Sequence, residues 1–295
     1  IRCHVVWRCI DDIVANRSFR KDIAIRVEYL TSRRTDILCN AGIIICQLRI
    51  AFIGKDLYIN EPKKNDQKEN QGASVMKLQF KHQKFQADAA KAVVDVFAGQ
   101  PYLTPTYMMD RGYGQQTMTD DADFTGWRNE RIVPELSDKL ILEHLQKVQR
   151  TNQIKPSDKL EGRYNLTIEM ETGVGKTYTY IKTMYELNKH YGWSKFIVVV
   201  PSIAIREGVY KSFQVTQDHF AEEYGKKIRF FIYNSAQLTE IDRFASDSAI
   251  NVMIINSQAF NAKGKDARRI YMKLDEFRSR RPIDIIAKTN PILII

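Results

Sequence analysis

An α/β fold, with a mostly parallel sheet flanked by helices, follows from three features of this 295-residue chain. Runs made almost wholly of apolar residues (Lys195–Val200, Asn251–Ile255, Pro291–Ile295) have the length of strands and read as strands buried on both faces. Segments with apolar residues at helical spacing lie between them. One strand, Asn165–Met170, passes through a glycine-bearing turn directly into a helical segment reaching Asn188. Strands and helices that alternate in this way form a parallel sheet with helices on its faces.

The first 75 residues differ in texture from the rest. All four cysteines (Cys3, Cys9, Cys39, Cys46) fall there, and the first of eight methionines is Met76. Asn60–Ser74 is polar and charged, like a linker. The expectation is that Met76 is the natural start and that residues 1–75 are a leader or an unrelated segment. The alternative is a small domain built on the apolar runs of Ile37–Ile53. Cys3, His4, Cys9 and Cys39 lack the close pairing of a structural zinc site. The most apolar run, Ala41–Gly54, is broken by Gln47 and Arg49 and is too short to span a bilayer. No secretory signal is evident, so a cytoplasmic location and no membrane contact are expected.

Residues 76–163 precede the glycine-bearing turn. Met76–Phe80 alternates like a short strand. Lys84–Phe97 places Phe85, Ala89, Ala92, Val93 and Val96 at helical spacing, with Gly99 as its C-terminal cap. Gln86 stands out on this helix, because a primary amide both donates and accepts and can read a purine edge; a solvent-facing glutamine is the plainer alternative. Gln100–Gly126 reads as a long irregular insert. Ser137 caps a helix reaching about Gln149, with Leu140, Leu142, Leu145 and Val148 apolar.

Residues 164–295 form the lobe around Glu171-Thr172-Gly173-Val174-Gly175-Lys176-Thr177. Two glycines here let the backbone turn tightly and aim its N–H groups at phosphate oxygens. The helix starting near Lys176 adds unpaired N–H groups and the positive end of its dipole. Lys176 supplies a mobile positive charge, and Thr177 offers a hydroxyl to Mg²⁺. The helix Lys176–Lys189 turns Tyr180, Ile181, Met184, Tyr185 and Leu187 toward a core and stops at Gly192. After the strand Lys195–Val200, Ser202 is a candidate N-cap with Arg206 one turn on. These two suit a nucleic-acid phosphate, or serve only as a cap and a surface arginine. A further helix is expected over Gln217–Tyr224 and strands over Lys227–Tyr233 and Asn251–Ile255. The latter ends in Asn256 and Ser257, polar groups at a carboxyl end, where open α/β sheets hold ligands. Lys263, Lys265, Arg268 and Arg269 follow as a basic cluster, with a solvated loop as the alternative. The formal charge of +10 and pI of about 9.3 suit a polyanionic partner, although surface lysine alone explains as much.

In this order, Phe85-Gln86, the loop Met170–Thr177, Val200–Gly208 and Ile255–Phe260 resemble the early motifs of superfamily 2 helicases. More narrowly, they are similar to the restriction (Res) subunit of type III restriction–modification enzymes. The resemblance covers Met76–Ile295, with Met170 standing where the general loop pattern has its first glycine. It implies a RecA-like P-loop lobe that binds ATP and Mg²⁺. Gln86 would read adenine. Thr172, Gly173, Val174, Gly175, Lys176 and Thr177 would hold the nucleotide, with Lys176 and Thr177 taking the catalytic roles and Thr177 the metal. Ser202, Arg206, Asn256 and Ser257 would touch the backbone of double-stranded DNA. The family's motor translocates on DNA, its nuclease domain lies further on, and its partner is the methylating (Mod) subunit.

In the family, the last strand runs into an Asp-Glu pair that positions Mg²⁺ and water, and this sequence ends at Ile295 before such a pair. The expectation is a lobe incomplete at its C-terminus that binds nucleotide without hydrolysing it. Another DNA- or RNA-stimulated ATPase of the superfamily is the alternative parent. A non-enzymatic remnant also fits. A small-molecule kinase fits less well, since the basic balance and the Ser202–Gly208 segment speak against it.

Overall fold

The computed structural model describes residues 3–9, 80–108, 126–162, 164–260, 269–277 and 279–295. The linker Asn60–Ser74, the apolar runs of Ile37–Ile53 and Ala41–Gly54, Cys39, Cys46 and most of the strand expected over Met76–Phe80 lie outside these residues. So do Lys263, Lys265 and Arg268.

The main sheet has six strands: β1 (Cys3–Cys9), β4 (Leu166–Met170), β5 (Lys195–Val200), β6 (Arg229–Ile232), β7 (Asn251–Asn256) and β8 (Ile292–Ile294). Their spatial order is β4-β1-β8-β5-β7-β6. β8, β5, β7 and β6 are parallel neighbours. β1 lies antiparallel to both β4 and β8, which leaves β4 pointing the same way as the other parallel strands. The carboxyl ends of β4, β5, β7 and β6 therefore share one edge. This is the parallel, helix-flanked arrangement of a RecA-like lobe.

The pleat divides the core in two. Along β5, Phe196, Val198 and Val200 face one apolar cluster while Ile197 and Val199 face the other. β7 repeats this with Val252 and Ile254 against Met253 and Ile255. Residues alternate across a strand with a period of two, so uninterrupted apolar runs require cover on both sides. The first face carries α1 (Lys84–Val96), α2 (Asp138–Thr151), α3 (Lys176–Tyr191) and α4 (Ile203–Tyr224). The second carries α5 (Thr239–Ser246), α6 (Pro282–Lys288) and the turns around Ile270 and Phe277. Each fully buried side chain of this size contributes about 1.5–3 kcal/mol relative to exposure.

Several elements differ from expectation. The segments read separately at Ser202–Gly208 and Gln217–Tyr224 are one 22-residue helix, α4. Gly208 inside it has open space around it and costs only about 1 kcal/mol relative to alanine. The buried ridge Val209, Phe213, Thr216 and Phe220 runs on past it at helical spacing. α1 stops at Val96 with Phe97 as its cap, and Gly99 takes φ +97° two residues later. α2 buries Ile141 alongside Leu145 and Val148, with Leu140 and Leu142 only partly covered. The insert is not wholly irregular: β2 (Thr106–Met108) pairs antiparallel with β3 (Gly126–Arg128).

Asn129, at the end of β3, is 2% exposed and clamps the start of β5. Its Oδ1 accepts from the N–H groups of Ser194 (2.7 Å) and Lys195 (2.9 Å), and its Nδ2 donates to the Lys195 carbonyl (2.9 Å). Lys195 itself is wholly buried within a strand expected to be apolar. Its ammonium donates to the carbonyls of Phe244 (2.6 Å) and Asp247, closing the C-terminal end of α5. Burial lowers its pKa to about 8, with the Asp247 carboxylate working the other way.

Candidate functional site

The turn after β4 takes the conformation its glycines permit. Gly173 has φ +86° and Gly175 φ +83°, both in the left-handed region that side chains resist. Gly175 is the N-cap of α3, and no side chain caps that helix. The first-turn N–H groups, which an α-helix leaves without internal partners, thus face the turn. Nothing lies within 4 Å of where a Cβ on Gly173 would sit. A Cβ on Gly175 would meet Gln86 Nε2 at 2.6 Å, so this glycine is required by close approach as well as by φ.

Gln86 lies on the first turn of α1 and is 8% exposed. Its Nε2 donates to the Val174 carbonyl at 2.9 Å, tying the turn to a residue 88 positions earlier. The helix packing that permits this is direct, with α1 lying against α3 on the first face of the sheet. Lys176, half-buried, donates from Nζ to the Glu171 carbonyl at 2.7 Å, folding back across the turn. Thr172 and Gly173 are exposed, while Val174 and Thr177 are half-buried. The sequence-predicted nucleotide residues (Gln86, Thr172, Gly173, Val174, Gly175, Lys176, Thr177) therefore come together at one point on the sheet edge. They fit a nucleotide phosphate: two left-handed glycines, an uncapped helix N-terminus and one lysine bound only to a backbone carbonyl are what such a group requires.

The second predicted group sits further along the same edge. Ser202 caps α4, its Oγ accepting from Ile205 N–H at 3.3 Å. Arg206 forms an ion pair with Glu207 at 2.8 Å. Around them Ile203 and Ile205 are 59% and 46% exposed, so the first turn of α4 stands clear of the sheet. Asn256 ends β7 directly beside Val200, the last residue of β5. Its Oδ1 is buried and has no hydrogen-bond partner among the described residues. Ser257 starts the next turn and is 8% exposed. Ser202 and Arg206 thus lie at one end of α4, and Asn256 and Ser257 lie at the adjoining strand end, more enclosed. Of the basic cluster, Arg269 is described. Its charge reaches the phenol of Tyr233, which burial nevertheless raises to about 12.

The Gln86–Val174 contact was open to sequence reading only as a candidate role for Gln86. Tyr178, which follows Thr177 and would contact a side chain at Gly175 at 3.7 Å, gave no signal.

The family described as "Type III restriction enzyme, res subunit" matches residues 133–281. The Res subunit of the EcoP15I type III restriction-modification enzyme from Escherichia coli is 30% identical over 181 residues, covering 54% of this chain and 18% of that protein. The EcoPI Res subunit of Escherichia phage P1 is 27% identical over 180 residues, with the same coverage. The StyLTI Res subunit of Salmonella typhimurium is 31% identical over 156 residues, 47% of this chain and 16% of that protein. The matched region spans under a fifth of each of these relatives. No helix among the described residues is long and apolar enough to cross a membrane.

Proposed function

The chain belongs to the family of type III restriction enzyme Res subunits, and from that premise we propose that the turn Glu171–Thr177 binds ATP with Mg²⁺ as the nucleotide site of a DNA-translocating motor. The observation that carries the reading is the latch between Gln86 and the Val174 carbonyl, set beside two left-handed glycines and an uncapped α3. The backbone of Thr172–Gly175 and the first turn of α3 hold the phosphates, and Lys176 exchanges its carbonyl contact for a phosphate oxygen. Thr177 offers its hydroxyl to the metal. Bound Mg²⁺ supplies charge neutralisation at the phosphates. Gln86 keeps one amide face on the turn and presents the other to adenine.

On the same edge, Ser202 and Arg206, with Asn256 and Ser257, contact the backbone of double-stranded DNA. Contacts of this kind position a duplex without reading its sequence. As a Res subunit working with a Mod subunit, the chain couples ATP turnover to movement along DNA toward cleavage.

The reading is tested by displacing a fluorescent ATP analogue, with Mg²⁺, from the full chain using ATP and GTP. ATP should compete better than GTP, and Gln86→Ala should erase most of that preference while the chain stays folded by circular dichroism. Equal competition by the two nucleotides in the unaltered chain would remove Gln86 as an adenine reader.

A further inference from the structure

Away from the phosphate-binding turn, α4 meets the segment that leads into α1. His219 and Glu223 stand four residues apart on α4, so their side chains share one face of the helix. His82, two residues before α1, brings its ring to 5.3 Å from that of His219, centroid to centroid. One ligand-type atom from each of the three residues lies within 4.8 Å of the others, the one such group of His, Cys, Asp and Glu among the described residues. We propose that His82, His219 and Glu223 form a binding site for a zinc-type divalent transition metal, distinct from the Mg²⁺ at the nucleotide.

The chemistry of the donors selects the metal. Two imidazoles and one carboxylate suit Zn²⁺, Co²⁺ or Ni²⁺, whereas Mg²⁺ takes oxygen ligands and keeps its waters. Ligand atoms around a tetrahedral zinc, bound at about 2.0–2.2 Å, lie roughly 3.3–3.5 Å apart. The atoms here lie within 4.8 Å of one another, wider than that spacing, with His219 Nε2 and Glu223 Oε2 at 3.9 Å. His82 and Glu223 are exposed side chains that close the remainder by rotation. Three protein ligands leave the fourth position to water, the form of an open site.

The neighbours define what competes with the metal. Tyr178 Oη lies 2.8 Å from His219 Nε2, and Lys182 Nζ pairs with Glu223 Oε1. Glu223 Oε2 is the oxygen turned toward His219, at 3.9 Å from Nε2. Lys182 therefore occupies one carboxylate oxygen and its charge weakens the site, and the Tyr224 hydroxyl, which also hydrogen-bonds Glu223, competes with the ion as well. Phe80 packs on Tyr178 and on His219, with centroids at 5.9 and 5.2 Å, which fixes the approach of residues 80–82 to the helix. A bound ion would staple this segment, and with it the start of the helix carrying Gln86, to α4.

Co²⁺ is the probe of choice, because its spectrum separates nitrogen and oxygen ligands from thiolates and so sets aside the four cysteines. The full chain, stripped with a chelator, should take up one equivalent of Co²⁺ with visible d–d bands and no sulfur charge-transfer band. Zn²⁺ should displace it and raise the melting temperature. His82→Ala alters an exposed residue, so it should keep the metal-free melting temperature while losing both the bands and the Zn²⁺-induced rise. Lys182→Met should tighten binding, since it frees Glu223 and removes a competing charge; a purely structural salt-bridge cluster would show no such gain. The proposal is overturned if the folded chain takes up no Co²⁺ saturably, if the bands show thiolate ligation, or if binding survives His82→Ala.

Discussion

The carboxyl end of β4 and the carboxyl ends of β5 and β7 lie on one edge of the same sheet, but they are built in different ways. At β4 the working groups are largely backbone: two left-handed glycines, a helix start without a cap, and a carbonyl held by Gln86. At β5 and β7 the candidate groups are side chains, and two of them are already engaged locally, Ser202 with Ile205 N–H and Arg206 with Glu207. Backbone groups cannot leave their position, so the end proposed to take the nucleotide is formed in advance. At the other end Ser202 and Arg206 must exchange local partners for the proposed ligand. A preformed site loses little entropy on binding, whereas an exchanging one depends on what the partner offers.

The sharpest way to break this contrast is at Gly175. Gly175→Ala forces a side chain into the left-handed region and against Gln86 Nε2 at 2.6 Å. Nucleotide binding should be lost while the chain still melts cooperatively, as followed by analogue titration and calorimetry. Retained affinity would mean that the preformed turn is not what binds.

A second prediction concerns the scaffold that both ends share. Lys195 has a pKa lowered to about 8 by burial, against an unfolded value near 10.5. Between those values the unfolded chain holds more protons than the folded one, so stability contributed by this group rises with pH from about 8 to 10.5. The gain should be on the order of 3 kcal/mol, read as a shift in the urea midpoint, and absent in Lys195→Met. Because Lys195 closes α5 on the second face of the sheet, Mg²⁺–ATP affinity should follow the folded fraction only, with no separate pH step of its own.

The smallest expected effect belongs to the exposed end. Arg206→Ala should lower the slope of log affinity for duplex DNA against log salt by about 1, without altering sequence preference. It should leave nucleotide affinity unchanged, since Arg206 contacts Glu207 and no residue of the turn. An unchanged salt slope would take Arg206 out of the DNA-contacting set.

The parts legible in the sequence are those where chemistry restricts residue choice locally. A left-handed turn requires glycine, so Gly173 and Gly175 announced their conformation, and doubly covered strands announced themselves as apolar runs. Ser202 was legible as a cap for the same reason. What escaped depends on distant partners. Buried Lys195 looks like a strand-end lysine until the carbonyls of Phe244 and Asp247 are placed beside it. The position of β1 between β4 and β8 is fixed by pairing with strands more than 150 residues later, which periodicity cannot reveal. The helices α5 and α6 are 8 and 7 residues long, too short for an apolar stripe to stand out, although Pro282 at the first turn of α6 was an available start signal. Gln86 was picked out for its chemistry, but its bond to Val174 rests on the packing of α1 against α3.

The most direct test of the preformed nucleotide site is isothermal titration of the full chain with a non-hydrolysable ATP analogue and Mg²⁺, beside Lys176→Ala. Lys176 is half-buried and makes one hydrogen bond, to the Glu171 carbonyl, so its loss should spare the fold. Saturable one-to-one binding that weakens about 10- to 100-fold in the variant, as the loss of a charge-assisted contact worth about 1.5–3 kcal/mol requires, is the predicted result. Equal affinity in the two folded proteins, or no binding by the unaltered chain, would contradict it.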